Sequence, residues 1–306
     1  MTQATTDVDL TIASARSSFG RHLKAANKAP RTISGYLEAV ALLDRFLAEQ
    51  GMPRGVATVR REHIESFIIH MQERGFRPSS IANRYRSLRV FWNWLVAEDE
   101  IPRSPMAKMK APAIPEIPVP LLNQDQVGAL LATVDGTTLE ERRDLAILRI
   151  LIDGGLRRAE CAGLRLSDVD FDHDQLWIEE GKGRRSRPVA MHAKTARALD
   201  RYLRLRPRHP HHGEDALFLG KRGPLGDGGL LQLVRRRGTQ AGIPGLHPHA
   251  LRHLGAHNDA EDGLSVPDMM KKFGWRDPSM ALRYGASAAT ERSLAHSKAL
   301  RGGDRY

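Results

Sequence analysis

Apolar residues recur along the first hundred residues at helical spacings. Tyr36, Val40, Leu43 and Leu47 lie three or four positions apart, which places them on one helix face. A second stripe begins at Ile64, Phe67 and Ile68 and runs to Met71. A third follows Pro78, with Ser79 or Ser80 as its expected cap and Ile81, Leu88, Phe91, Trp92 and Leu95 as its apolar face. These patterns predict a small bundle of three or four short helices over 1–104. The stretch SPMAKMKAPAIPEIPVP, Ser104 to Pro120, is then interrupted by prolines that break helix and favour extended chain. It predicts a linker over 105–119, with the second domain at 120–306.

The second domain also reads as mostly helical. Asn123 can cap a helix over Gln124–Thr133 whose buried side is Val127, Leu130 and Leu131. Glu140–Ile152 is more apolar and therefore central, and it stops at Gly154 and Gly155. A short helix bearing Arg157 and Glu160 is expected next. Leu176–Glu180 and Arg187–Met191 predict two strands joined by GKGRRS. Helices are expected at 193–206, about 228–237, 248–259 and 265–273. The fold class is mainly α with one small β-hairpin.

Composition adds a partner class. In 306 residues, 47 Lys and Arg exceed 36 Asp and Glu, a net charge of +11 that suits a polyanion. Asn83, Arg84, Arg86 and Arg89 on the Pro78 helix, and Lys108 and Lys110 in the linker, are expected against a DNA backbone or groove. The lone cysteine, Cys161, excludes an internal disulfide and a Cys-based zinc site. No apolar run approaches the ~20 residues of a membrane span, and the N-terminus lacks a signal-peptide pattern. A cytoplasmic protein is expected.

The chemistry lies in scattered positions. Arg157 sits in GGLRRAE, Lys182 in the glycine-rich turn, His249 and Arg252 in HPHALRH, Trp275 in KKFGW and Tyr284 in ALRYG. Two arginines can hold the non-bridging oxygens of a phosphate under attack. A tyrosine can form a covalent phosphotyrosyl bond. A lysine can protonate the leaving oxygen, and a histidine can take the tyrosine proton. His249 and Arg252, three apart, share a helix face. Each residue alone has a structural reading too; Arg157, for example, can pair with Glu160. A zinc hydrolase using His209, His211, His212, His249, His253 or His257 is a rival, as is a regulator that binds DNA without chemistry. His253 and His257 lie one turn apart, but no third ligand is evident.

The blocks RDLAILRILIDGGLRRAECAGLRLSDVD, GKGRRSRPVAM, HPHALRH and FGWRDPSMALRYG resemble, in order, those of the tyrosine recombinases or phage integrases, which include Xer-type resolvases. The resemblance implies Arg157, Lys182, His249, Arg252 and the nucleophile Tyr284 as catalytic residues, with Glu160 and His253 in support. Trp275 stands where many members carry histidine; its indole N–H can still donate to a phosphate. Arg184 and Arg185 would contact DNA beside Lys182. The implied fold is a SAM-like core-binding bundle followed by a catalytic domain of the DNA breaking-rejoining type. The implied partners are a duplex recombination site, a tetrameric synapse of like protomers, and an accessory DNA-binding protein or partner recombinase. No metal or other cofactor is implied. A C-terminal segment near Ala289–Tyr306, with Leu294 and Leu300, would dock on a neighbouring protomer. Mobile-element integration and Xer-like dimer resolution both stay open.

Overall fold

A computed structural model describes residues 10–114, 121–179 and 187–284. Lys182, Arg184, Arg185, Leu294 and Leu300 lie outside the described residues. The chain divides into two compact units, Met1–Ile117 and Pro118–Tyr306.

The first unit is a bundle of α1 (Ile12–Ala25), α2 (Pro30–Glu49), α3 (Arg61–Glu73) and α4 (Pro78–Ala97). Thr11 caps α1 by accepting from Ser14 N–H. Pro30 and Pro78 open α2 and α4, where a missing N–H costs nothing and a fixed φ already suits a helix. This corrects the expected serine cap: Ser79 and Ser80 lie inside α4, and Arg77 occupies the cap position without a side-chain bond. Phe19 of α1 packs edge-on to Phe91 of α4 at 5.4 Å between ring centroids. Leu43, Leu47, Ile64, Leu88 and Trp92 complete a fully buried core. The expected linker also needs correction. Met106 and Met109 are buried in this same core, and Tyr85 donates its hydroxyl hydrogen to the Met109 carbonyl at 2.8 Å. The chain from 105 to 109 is thus part of the bundle, since two methionines gain more from burial than a free tether would. Lys108 and Lys110 flank Met109 on the exposed side.

The second unit begins with α5 (Gln124–Ala132) and α6 (Leu139–Asp153). Each opens on a reciprocal cap, Asn123 with Gln126 and Thr138 with Glu141. A short α7 (Arg158–Ala162) leads to a three-stranded antiparallel sheet in the order β1 (Val169–Asp170), β2 (Gln175–Ile178), β3 (Arg187–Ala190). Then come α8 (Ala193–Leu205), a two-residue pairing of β4 (Leu219–Gly220) with β5 (Gly223–Pro224), α9 (Asp227–Gln240), α10 (Pro248–Glu261) and α11 (Val266–Phe273). In the sheet Trp177 lies opposite Pro188, while Leu176, Ile178 and Val189 point to the core.

Helix α6 is the hub. Ala146, Ile147, Leu148, Ile150 and Leu151 are all buried, as expected of a helix surrounded by others. Its Asp144, fully buried, accepts from Arg143 and from Arg237 of α9, each at 2.7 Å, and from Arg236 at 3.1 Å. Arg143 also donates to the Leu219 carbonyl and Arg237 to that of Thr133, so a single carboxylate anchors α9 and the β4 hairpin to α6. Helix α10 crosses α6 where Gly255 leaves no side chain; a Cβ there would lie 2.1 Å from the Ile152 carbonyl oxygen. That close approach fixes the helix carrying His249 and Arg252 against the end of α6.

Candidate active site

The turn after α6 builds the first wall of the site. Gly155 adopts φ +56°, and a Cβ on it would come within 2.1 Å of the Phe273 ring. Only glycine meets both conditions. Its carbonyl accepts from Arg252 Nη1 at 2.5 Å, and Arg252 Nη2 donates to the Phe273 carbonyl at 2.6 Å. The Arg252 guanidinium also lies over the rings of Phe273 and Trp275, at 5.2 and 5.7 Å. It is 3% exposed. Burial, then the charge of Arg157, brings its pKa down to about 10, so it remains a cation at neutral pH.

Arg157 is the N-cap residue of α7. Its backbone N–H and Nη1 donate to the two oxygens of Glu160 at 2.8 and 2.7 Å, and Nη2 donates to the Gly274 carbonyl at 2.9 Å. Roughly half of this side chain stays open to solvent. Glu160 is shared: Arg187 of β3 donates to its Oε2 at 2.9 Å and to the Lys272 carbonyl at 2.9 Å. Burial pushes the Glu160 pKa up, but the bonds and charges of Arg187 and Arg157 outweigh it and hold the carboxyl below its usual range. Arg187 is the residue that sequence reasoning missed. Grouped with Arg184 and Arg185 it reads as part of an exposed basic turn, yet it is 6% exposed. The alternation of β3, with Arg187 and Val189 inward, is the signal that could have found it.

His249 and Arg252 do share one face of α10. His249 is exposed, and its pKa is held below the ordinary histidine value by desolvation, then by Arg252, His247 and Arg157. His253 packs against it at 4.1 Å between ring centroids. Burial and then His249 lower the His253 pKa to about 4, so this ring is neutral. Tyr284 stacks nearly parallel on Trp275 at 5.5 Å and lies 5.5 Å from His253 on another side. Trp275 in turn stacks on Phe273 at 4.6 Å. The structure therefore brings Arg157, Glu160, His249, Arg252, His253, Trp275 and Tyr284 into one neighbourhood. Arg157, His249 and Arg252 line a common cavity of about 430 Å³; Tyr284, 8% exposed, lies beside it. Among the described residues no three His, Cys, Asp or Glu side chains converge as metal ligands would.

The basic residues of α4 separate into two kinds. Asn83, Arg86 and Arg89 follow one another at three-residue spacing and are exposed. Arg84 is turned aside: it lies 4.9 Å over the Phe76 ring and 3.8 Å from Glu38. That contact holds its guanidinium against the bundle, unlike the exposed side chains of its neighbours.

The first unit is thus a helical bundle, and the second sets two guanidinium groups beside a histidine and a tyrosine. Residues 120–291 match the Phage integrase family, and residues 16–101 match the Phage integrase N-terminal SAM-like domain. The chain belongs to the phage integrase family, the tyrosine recombinases, which cleave and rejoin DNA. It is 34% identical over 274 residues to tyrosine recombinase XerC of Chromohalobacter salexigens, covering 86% of this chain and 88% of that one. Its fold is similar to that of the Tn1549 transposon integrase in complex with a circular intermediate DNA, with TM-score 0.74, 20% identity and coverage of 92% and 99%. It is also similar to a lambda integrase tetramer bound to a Holliday junction, with TM-score 0.71, 16% identity and coverage of 90% and 80%.

Proposed function

We propose that this chain is a site-specific recombinase that cuts each DNA strand through a 3′-phosphotyrosyl bond to Tyr284. The convergence of Arg157, Arg252 and His249 on one cavity, with Tyr284 beside it, carries the reading. The two guanidinium groups bind the non-bridging oxygens and stabilise the charge that builds as phosphorus becomes crowded. Both are already aimed by carbonyl and carboxylate partners, so little reorganisation is needed. Tyr284 swings from its stack into the cavity, and its oxygen attacks phosphorus while His249, neutral through its lowered pKa, takes the proton. The bond from phosphorus to the 5′ oxygen breaks, and Lys182 gives that oxygen a proton. Attack by a 5′ hydroxyl from another strand reverses these steps and releases Tyr284. The phosphotyrosyl bond keeps the energy of the original linkage, so no nucleotide is consumed. Charge and proton roles are all filled by side chains, and the reaction is proposed to need no metal.

Four protomers on two duplexes would complete exchange through a Holliday junction. Mapping the DNA junctions formed in cells distinguishes insertion of mobile DNA from resolution of repeated sites. The direct test is Tyr284→Phe on a nicked recombination site. Binding and folding persist while the covalent adduct disappears, and peptide mapping places the wild-type adduct on Tyr284. An adduct on any other residue would overturn the assignment.

A further inference from the structure

The cavity that contains Arg157 and Arg252 continues past them. Its wall also includes Arg235 of α9 and His247, and no Asp or Glu lines it. Arg235 begins the run Arg235–Arg237, whose other two members are both committed to the buried carboxylate of Asp144. Arg158, a further cation on the wall, is held by both oxygens of Asp227 at 2.5 Å. Arg235 is exposed and its guanidinium has no hydrogen-bond or ion-pair partner among the described residues. His247 is the N-cap of α10, and its Nδ1 accepts from Ala250 N–H at 3.1 Å. A nitrogen that accepts carries no hydrogen, which leaves the ring's N–H at Nε2, across the ring from the helix end. The His247 ring stacks with that of His249 at 6.5 Å and 22° between ring planes, which sets it alongside the proposed proton acceptor.

We propose that Arg235 and His247 form a second phosphate subsite, which takes the phosphodiester adjacent to the one held by Arg157 and Arg252. The inference rests on the recombinase reading of the cavity. Arg235 supplies charge. His247 supplies an N–H donor at Nε2, placed by the same bond that caps the catalytic helix. A second anchored phosphate would set the register of the strand, so that the phosphate under attack sits between the two aimed arginines.

The test uses ligands that carry no target sequence. Full-length protein with nitrogen-15-labelled histidine is titrated with thymidine dinucleotide, which has one phosphodiester, and with the trinucleotide, which has two. The dinucleotide is expected to shift the His249 ring signals. The trinucleotide is expected also to shift His247 Nε2 and to bind about tenfold more tightly, the size of one charge-assisted contact. Arg235→Gln and His247→Ser each bring the trinucleotide to within about threefold of the dinucleotide and leave the dinucleotide unchanged. Serine keeps the helix cap through its hydroxyl, so unfolding does not explain the loss. Arg235→Gln lowers the salt dependence of trinucleotide binding, because its guanidinium displaces a counterion from the second phosphate. Equal wild-type affinity for both ligands, or equal loss of both in either variant, overturns the second subsite while leaving the first intact. Failure of the dinucleotide to bind wild-type protein removes the first phosphate site and this inference together.

Discussion

Glu160→Gln tests how Arg157 is aimed. The carboxylate accepts from the Arg157 backbone, from Arg157 Nη1 and from Arg187 Nη2, all within 2.9 Å. Glutamine keeps the shape and one acceptor oxygen but turns the other into a donor facing a guanidinium. A hydrogen bond to a charged group is worth about 1.5–3 kcal/mol and a neutral one about 0.5–1.5, so weakening two of them costs about 2 kcal/mol. Arg187 is buried and loses the charge of this carboxylate, which pushes the cost toward the ~3–5 kcal/mol of a weakened buried pair. The Lys272 carbonyl still accepts from Arg187 and limits that loss. The expected destabilisation is therefore about 2–3 kcal/mol, or roughly 5–10 °C in Tm for a unit of this size. Single-turnover cleavage should fall about 10²-fold as Arg157 loses its aim. The folded carboxyl has a lowered pKa, so its contribution is present above the unfolded value of about 4.3 and is lost as pH falls through the folded pKa. The stability gap between wild type and variant should thus narrow as pH falls from that unfolded value down through the folded pKa. A variant that melts within 1 °C of wild type and cleaves at the wild-type rate would refute the argument.

Three further outcomes follow from the site and from α4. Because the His249 pKa is lowered, wild-type cleavage should stay on its plateau at neutral pH and fall about tenfold per unit only below the ordinary histidine value of about 6.5; His249→Gln should lose that limb. Lys182→Ala should slow cleavage of ordinary DNA far more than of a 5′-bridging phosphorothiolate, whose sulfur leaves without a proton; equal slowing removes the general-acid role. Arg86→Ala should lower the log–log salt slope of DNA binding by about one, whereas Arg84→Ala, with its guanidinium over Phe76, should lower bundle stability by about 0.5–1 kcal/mol and leave the slope unchanged.

Legibility in the sequence tracked how many residues each feature uses. The stripe Tyr36–Leu47 and the runs of α6 and α10 repeat over several turns, so pattern alone found them. β1 and the β4–β5 pair are two residues per strand and have no period to detect. Helix α1 buries Ala15 and Gly20 among Ile12, Phe19 and Leu23, and small residues dilute its stripe. Prolines break the helical pattern but give no sign that Met106 and Met109 pack in the bundle, because those two are anchored by contacts distant in sequence. Charge is equally silent about burial. Arg84 and Arg187 resemble their solvated neighbours until tertiary structure supplies Phe76 and Glu160. The scattered arginines, histidines and Tyr284 could be linked by their chemistry, but the carbonyls of Gly155, Phe273 and Gly274 that aim them are backbone groups and leave no mark in residue type.

The parallel stack of Tyr284 on Trp275 also sets a population. An aromatic pair of this kind is worth about 0.5–1.5 kcal/mol beyond its buried area. Against that term alone, an unliganded protomer would hold its tyrosine released about once for every two to twelve times it holds it sheathed. Release also exposes a ring that is only 8% exposed in the stack, which favours the sheathed state further, and DNA must supply that difference as well to invert the ratio. Trp275, uncovered each time Tyr284 departs, makes that equilibrium visible as indole emission, and strengthening or weakening one ring contact would shift readiness to cut without altering any group that touches phosphorus.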